Sequence, residues 1–299
     1  MPTAAHTVSD VIRSSYDSLT RAEKQLADRI LENYPVSGLG SITTIAENAG
    51  VSTPTVARMV QKLGFKGYPE FQSHLHHELE ETISNPIAKH DRWALNAPGT
   101  HILNRFAEAI TANLRDTLSE LDTETFEDAA ALLGDRERSI YFVGGRITGA
   151  LAEYFFTHMQ VIRPKTALIS TNSSSWPQHV LNMNRGDVLV IFDIRRYEQE
   201  MATLAEVAKA NGVIIILMTD VWSSPVAKHA KHVFRVRIEA PSAWDSSVVT
   251  LFVVEALIEA VQSAAWDRTR ERMNSLEQLF EQSRLFRRPH RHRPGGGSQ

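Results

Sequence analysis

There is no cysteine among the 299 residues. That excludes a disulfide framework, a thiolate metal site, an iron–sulfur cluster and a cysteine nucleophile, and it fits a reducing compartment. A general excess of positive charge is missing too: 32 Lys and Arg stand against 35 Asp and Glu, a formal charge of -3. Any surface that holds nucleic acid or another anion must therefore be local. Long apolar runs are also absent. The longest, Val213 to Met218 in GVIIILMTD, falls far short of the roughly 18 residues that a membrane span needs. The opening MPTAAHTVSD carries neither the basic nor the apolar stretch of a secretory leader. The expectation is a cytoplasmic protein that does not meet a membrane. With 42% hydrophobic and 22% charged residues, a chain of this length is expected to form about two ordinary globular domains.

What is present falls into two hydrophobic periods. From Val8 to about Ile83 apolar residues recur at three- and four-residue spacings, as in Leu26, Ile30, Leu31, then Ile42, Ile45, Ala46, then Val56, Val60, Leu63. That spacing predicts helices throughout. Thr20-Arg21-Ala22-Glu23 has the form of a capping box, and Pro35 follows where that helix should stop. Between Ser84 and Thr100 two prolines and a glycine interrupt any period, which places a boundary there. A helix from about His101 to Leu121 follows. From Ser139 the pattern alternates: SIYFVG, TALIS, DVLVIFD, GVIIILMTD and HVFRVRI are short apolar runs separated by helical stretches. Such runs predict a five-stranded parallel sheet covered on both faces, a doubly wound α/β domain. A helix from about Ser246 to Ala265 closes it. The expected division is residues 1–85 helical, 86–120 linker and connecting helix, 121–282 α/β, and 283–299 a disordered tail.

The spacing in Ser41 to Gly67, SITTIAENAGVSTPTVARMVQKLGFKG, predicts a helix-turn-helix. Gly50 permits the tight turn and Val51 fills the gap between helices. Ser52 is an N-cap, Pro54 sits in the first helical turn, and Gly64 stops the helix. Val56, Val60 and Leu63 form its inner stripe, which leaves Thr53, Thr55, Arg58 and Lys62 outside, with Lys66 in the following turn. Residues 52–68 hold three basic and no acidic side chains, although residues 1–83 carry seven basic and ten acidic ones. Ser52, Thr53, Thr55, Arg58, Lys62 and Lys66 are therefore the expected contacts to double-stranded operator DNA. The small hydroxyl residues would approach phosphates or base edges, Arg58 would reach a guanine, and the lysines would neutralise the backbone. The plain alternative is a small helical bundle that binds no nucleic acid.

In an open parallel sheet ligands sit beyond the C-terminal strand ends. The first strand ends in Gly144, Gly145, Arg146 and Thr148, and the second leads to Asn172 and Ser173. The third leads to Asp193, Arg195 and Arg196, and the fourth to Ser224. These ten residues are the expected effector site. Glycines and free N–H groups at a helix start attract anions, and guanidinium offers forked donors to phosphate or carboxylate. The plain alternative pairs these arginines with Asp193, Glu198 or a neighbouring subunit. GGRITG departs from the dinucleotide fingerprint at Arg146, so no nucleotide cofactor is expected. His74 and His77 are spaced to hold a metal but read more simply as a solvated face, and no metal is expected. No catalytic set is assembled by any pattern.

Two stretches, IAENAGVSTPTVARMVQKLGFKGYPEF and YFVGGRITGALAEY with DVLVIFD, AKANGVIIILMTD and SSPVAKHAKHVFRV, resemble the RpiR/MurR-type bacterial transcriptional regulators. Those regulators join an N-terminal helix-turn-helix to a C-terminal sugar-isomerase (SIS) domain. The resemblance covers about Val8 to Ala265. It implies a flavodoxin-like five-stranded sheet, dimers or tetramers formed through SIS domains, and control of sugar-catabolism genes by a phosphosugar. The chain departs from that pattern in two loops. Arg146 and Thr148 stand where the family has the second glycine and the serine of Gly-x-Gly-x-Ser. Asp193, Arg195, Arg196 and Glu198 stand in the loop that usually reads Ser-x-Ser-Gly-x-Thr. With the hydroxyl cradle largely replaced, the expected effector is a small anionic metabolite, a phosphosugar or another acid. An SIS-type sugar-phosphate isomerase with an accessory helical domain is the competing reading.

Overall fold

A computed structural model describes residues 7–32, 34–83 and 101–284. The boundary expected between Ser84 and Thr100, and the expected tail beyond residue 284, lie outside them.

The N-terminal region is helical throughout: α1 (Val8–Ser15), α2 (Arg21–Glu32), α3 (Ile42–Ala49), α4 (Thr53–Lys62) and α5 (Tyr68–Ile83). Its helices start where side chains can satisfy the free N–H groups of a first turn. At α2, Thr20 N–H donates to Glu23 Oε2 at 2.7 Å and Glu23 N–H donates back to Thr20 Oγ1 at 3.4 Å. The apolar stripes meet in one core that includes Ile12, Leu26, Ile30, Ile45, Val56, Met59, Phe71 and Leu75. Gly50, with φ +63°, ends α3 in the left-handed conformation that glycine adopts without strain. The chain then turns sharply into α4.

The remainder is an α/β fold. A long helix α6 (Ile102–Glu120) precedes α7 (Thr123–Gly134), β1 (Ile140–Gly144), α8 (Gly149–Ile162), β2 (Thr166–Leu168) and α9 (Trp176–Leu181). After these come β3 (Val188–Phe192), α10 (Gln199–Ala210), β4 (Ile214–Asp220), β5 (His232–Val236), α11 (Val248–Ala264) and α12 (Trp266–Ser283). The strands pair in parallel in the order β2-β1-β3-β4-β5, with Gly144 opposite Phe192 and Phe192 opposite Met218. Successive side chains point to opposite faces of the sheet. Phe142, Val190 and Ile216 therefore join one core with α7, α8 and α11, while Val143, Leu189 and Leu217 join the other with α10. Both faces are dry, which is why these strands read as unbroken apolar runs.

Two helices were not foreseen. The first, α7, opens on Asp122, whose carboxylate accepts from Glu124 and Thr125 N–H, and buries only Ala129 and Leu133. The second, α12, continues past the helix expected to close the domain, and Thr269 is its one buried residue. Helices with so little apolar surface leave a weak periodic signal. Among the described residues no single helix is long and apolar enough to cross a membrane.

Candidate functional site

The helix-turn-helix presents its second helix as the sequence suggests, with two exceptions. Ser52 caps α4 by accepting from Thr55 N–H at 3.3 Å, and Pro54 lies in the first turn. Ser52, Arg58 and Lys66 are exposed, and Thr53 is half-buried. Thr55, expected outside, is buried at 7% exposure. Its hydroxyl lies 2.8 Å from Ser52 Oγ and receives Arg58 Nη2 at 3.5 Å, so it belongs to the cap. Lys62 is exposed but turned back onto the preceding helices: Nζ donates to Glu23 Oε2 at 3.2 Å and to the Ser18 carbonyl oxygen. The Thr20 N–H in the first place, with Lys62 in support, holds the Glu23 carboxyl below its usual range. Lys66 keeps its ammonium free of ion pairs among the described residues. Its backbone N–H donates to Glu70 Oε2 at 2.5 Å and fixes the turn into α5.

The second candidate site lies where the strand order reverses, outside the C-terminal ends of β1 and β3. A pocket of about 340 Å³ is lined there by the loops 145–148 and 193–198 and by a third segment, 243–247. It brings together Gly145, Arg146, Thr148, Asp193, Arg195 and Arg196. Four expected residues are not in its lining. Gly144 is the buried end of β1, where a Cβ would stand 2.6 Å from the Thr148 backbone. Asn172 and Ser173 belong to an exposed 3-10 turn capped by Asn172 itself. Ser224 is buried and donates to Asp193 Oδ2 from behind the pocket.

The charges are distributed differently from the simple anion site expected. Arg195 is largely committed: its side chain is 5% exposed, Nη2 lies 2.9 Å from Glu239 Oε1, and Nη1 lies 3.5 Å from Asp245 Oδ1. The guanidinium stacks 3.9 Å from the Trp222 ring centroid. Its Nε is buried with no hydrogen-bond partner among the described residues. Arg146 and Arg196 are exposed, and their guanidiniums make no ion pair among the described residues. Thr148 Oγ1 accepts from Gly145 N–H at 2.9 Å and donates to the Phe192 carbonyl at 2.8 Å, so this hydroxyl is spent on shaping the loop.

Beneath the pocket lie two buried carboxyl groups. Burial pushes Asp193 up to about 6, against the Ser224 hydroxyl and the Glu198 N–H that favour its charged form. Asp220 accepts from Arg195 N–H at 2.7 Å, Tyr197 Oη at 2.6 Å and Trp222 N–H at 2.9 Å, and burial raises it as well. Together they pin both ends of the 193–198 loop, in which Arg196 adopts φ +64°.

Sequence reasoning missed Glu198 as a pocket residue, together with Trp244, Asp245 and Ser247. Residues 242–247, SAWDSS, follow the fifth strand and carry an exposed Trp244. Extending the reading of strand ends to β5 would have found that segment. Among the described residues no group of three or more His, Asp or Glu is placed to hold a metal.

Residues 7–82 match the family described as helix-turn-helix domain, rpiR family, and residues 135–260 match the SIS domain. An uncharacterised HTH-type transcriptional regulator of Haemophilus influenzae is 27% identical over 233 residues, 76% of this chain and 78% of that protein. HexR, an HTH-type transcriptional regulator of Pseudomonas aeruginosa, is 26% identical over 224 residues, 73% of this chain and 74% of HexR. Among solved structures, Vibrio vulnificus NanR complexed with ManNAc-6P has a similar fold: TM-score 0.53 and 18% identity, over 91% of this chain and 97% of NanR.

Proposed function

We propose that this chain, which belongs to the RpiR family of helix-turn-helix transcriptional regulators carrying a SIS domain, binds operator DNA through α4 and tunes that binding with a small anionic metabolite held at the β1/β3 pocket. It acts by binding and not by turnover, and it works in the cytoplasm as a homo-oligomer that controls a catabolic operon. The observation that carries the DNA half is the exposed face of α4. Ser52, Thr53 and Arg58 lie at the helix N-terminus and along its outside, Lys66 follows in the turn, and residues 52–68 hold no acid. In this arrangement the helix enters the major groove, Arg58 reads a base edge and Lys66 neutralises phosphate.

The effector half rests on Arg146 and Arg196, two uncommitted guanidiniums at the pocket mouth, the residue type suited to phosphate or carboxylate. NanR, of similar fold, is complexed with ManNAc-6P, and a sugar derivative with one anionic group is the class proposed here. Association of two copies would cover Val248 and Phe252, exposed at 49% and 40% on α11.

A selection of genomic fragments by the purified chain at about 0.15 M salt, repeated with Arg58→Ala, tests the DNA half, because nonspecific phosphate binding is suppressed by salt. A palindromic motif that is lost in the variant supports the proposal. Enrichment that is absent, or indifferent to Arg58, counts against it.

A further inference from the structure

The loop 145–148 already holds an anion, and the chain supplies it. Arg146 N–H, at the entry to α8, donates to Glu198 Oε1 at 3.1 Å across 52 residues of sequence. A Cβ on Gly145 would stand 2.4 Å from that same oxygen and 2.9 Å from the carboxyl carbon. Glycine is thus what admits the carboxylate to the loop. Glu198 is itself positioned: its backbone N–H donates to Asp193 Oδ1 at 3.2 Å, at the start of α10. Of the three arginines near this point, Arg195 is paired with Glu239 and Asp245, and Arg146 and Arg196 are exposed with no ion pair among the described residues.

We propose that Glu198 is a specificity-determining residue: its carboxylate occupies the Arg146 backbone N–H, in the space that Gly145 leaves beside it. The effector therefore presents a hydrogen-bond donor, a hydroxyl or an ammonium, to Glu198, while its anionic group engages the Arg146 and Arg196 guanidiniums. This rests on the reading of the pocket as the effector site and deepens it. A phosphate placed on the Arg146 N–H would lie against a carboxylate, and two like charges in a partly desolvated site repel strongly. A polyhydroxy or amino compound bound with its donors toward Glu198 meets no such penalty, since Glu198 Oε2 accepts no hydrogen bond among the described residues.

The test is titration of the full chain with inorganic phosphate, read by the backbone amide signal of Arg146 and by calorimetry, for wild type, Glu198→Gln and Glu198→Ala. Thermal unfolding confirms that each variant is folded, and the isosteric Gln keeps an acceptor for Arg146 N–H. Removing the carboxylate is expected to raise phosphate affinity by about tenfold, the scale of one hydrogen bond to a charged group. The Arg146 amide should shift further with phosphate in the variants than in wild type. The gain should persist when Arg146→Ala and Arg196→Ala are added, because the donor is a backbone N–H. Equal phosphate affinity in wild type and both Glu198 variants, or an Arg146 amide that shifts equally in all three, overturns the proposal. Failure of the pocket reading itself shows separately, as an operator response indifferent to Arg146 and Arg196.

Discussion

The guanidinium of Arg195 lies 3.9 Å from the centroid of the Trp222 ring, with Glu239 Oε1 2.9 Å from Nη2. Arg195 is thereby a structural member of the pocket wall, not an open arm for an effector. Truncation removes the cation that Glu239 and Asp245 share and uncovers an indole. Arg195→Ala should lower unfolding free energy by about 2 kcal/mol, below the usual cost of breaking a fully buried pair because Glu239 is partly exposed. Lysine should restore little of this, since it has neither the fork nor the planar face. Denaturant unfolding of the three proteins checks both statements, and wild-type stability in Arg195→Ala would refute them.

Lys62 and Lys66, equal on the sequence, should behave differently. Lys62 is tied to Glu23 at 3.2 Å and to the Ser18 carbonyl, whereas the Lys66 ammonium makes no ion pair among the described residues and can meet phosphate. Lys66→Ala is expected to reduce the slope of log affinity against log salt by about one. Lys62→Ala should change it less and cost about 1 kcal/mol of stability, since the buried Glu23 carboxylate loses one of its partners. Salt titrations of fragment binding, with thermal unfolding alongside, separate the two.

Asp193 gives a pH dependence of definite sign. Its folded value, about 6, exceeds the ordinary 3.8, so between those values the native state binds more protons than the unfolded chain. Stability from this group is full below 3.8 and is lost as pH rises to about 6, a change of about 3 kcal/mol at most. Asp220, raised by burial as well, slopes the same way. In Asp193→Asn the slope should flatten in this window. Unfolding free energies from pH 4 to 7 check it, and an unchanged slope in the variant would contradict the assignment.

Arg237 joins the two halves of the chain. Its Nη2 lies 3.4 Å from Asp10 on α1 and 2.5 Å from Glu120 on α6, and its N–H donates to Thr117 Oγ1. Two residues on, Glu239 holds Arg195 at the pocket. Arg237→Ala should leave intrinsic DNA contacts intact but reduce the effector's influence on DNA affinity severalfold, on the usual scale of coupling energies. Operator affinity with and without effector, in wild type and variant, measures that influence directly. Equal coupling in both would exclude Arg237 as the link.

Local chemistry carried most of the fold. Gly50, Ser52, Pro54 and Gly64 act through their own backbone preferences or the next turn, and doubly covered strands announce themselves as apolar runs, so these features were readable in the sequence. The misread features are settled by distant partners. Lys62 is captured by a carboxylate 39 positions earlier, Arg195 by acids 44 and 50 positions later, and Glu198 by a loop amide 52 positions back. Thr55 was misplaced for a nearer reason. At the third position of its helix it faces the cap, and the Ser52 hydroxyl draws it inward. The pocket's location followed from strand order. Its charge balance did not, because pairing within the loops depends on side-chain directions that spacing does not encode.

The most direct test of the account is operator affinity measured for wild type and for the Arg146→Ala, Arg196→Ala double variant, on a fragment recovered in the genomic selection. The titrants are a panel of sugar phosphates, amino-sugar phosphates and sugar acids. At least one compound should shift the wild-type dissociation constant by about fivefold or more, the lower scale of allosteric coupling, and should leave the double variant unmoved although it binds the operator. A shift of equal size in the double variant, or no shift with any compound in wild type, would contradict the claim that this pocket governs DNA binding.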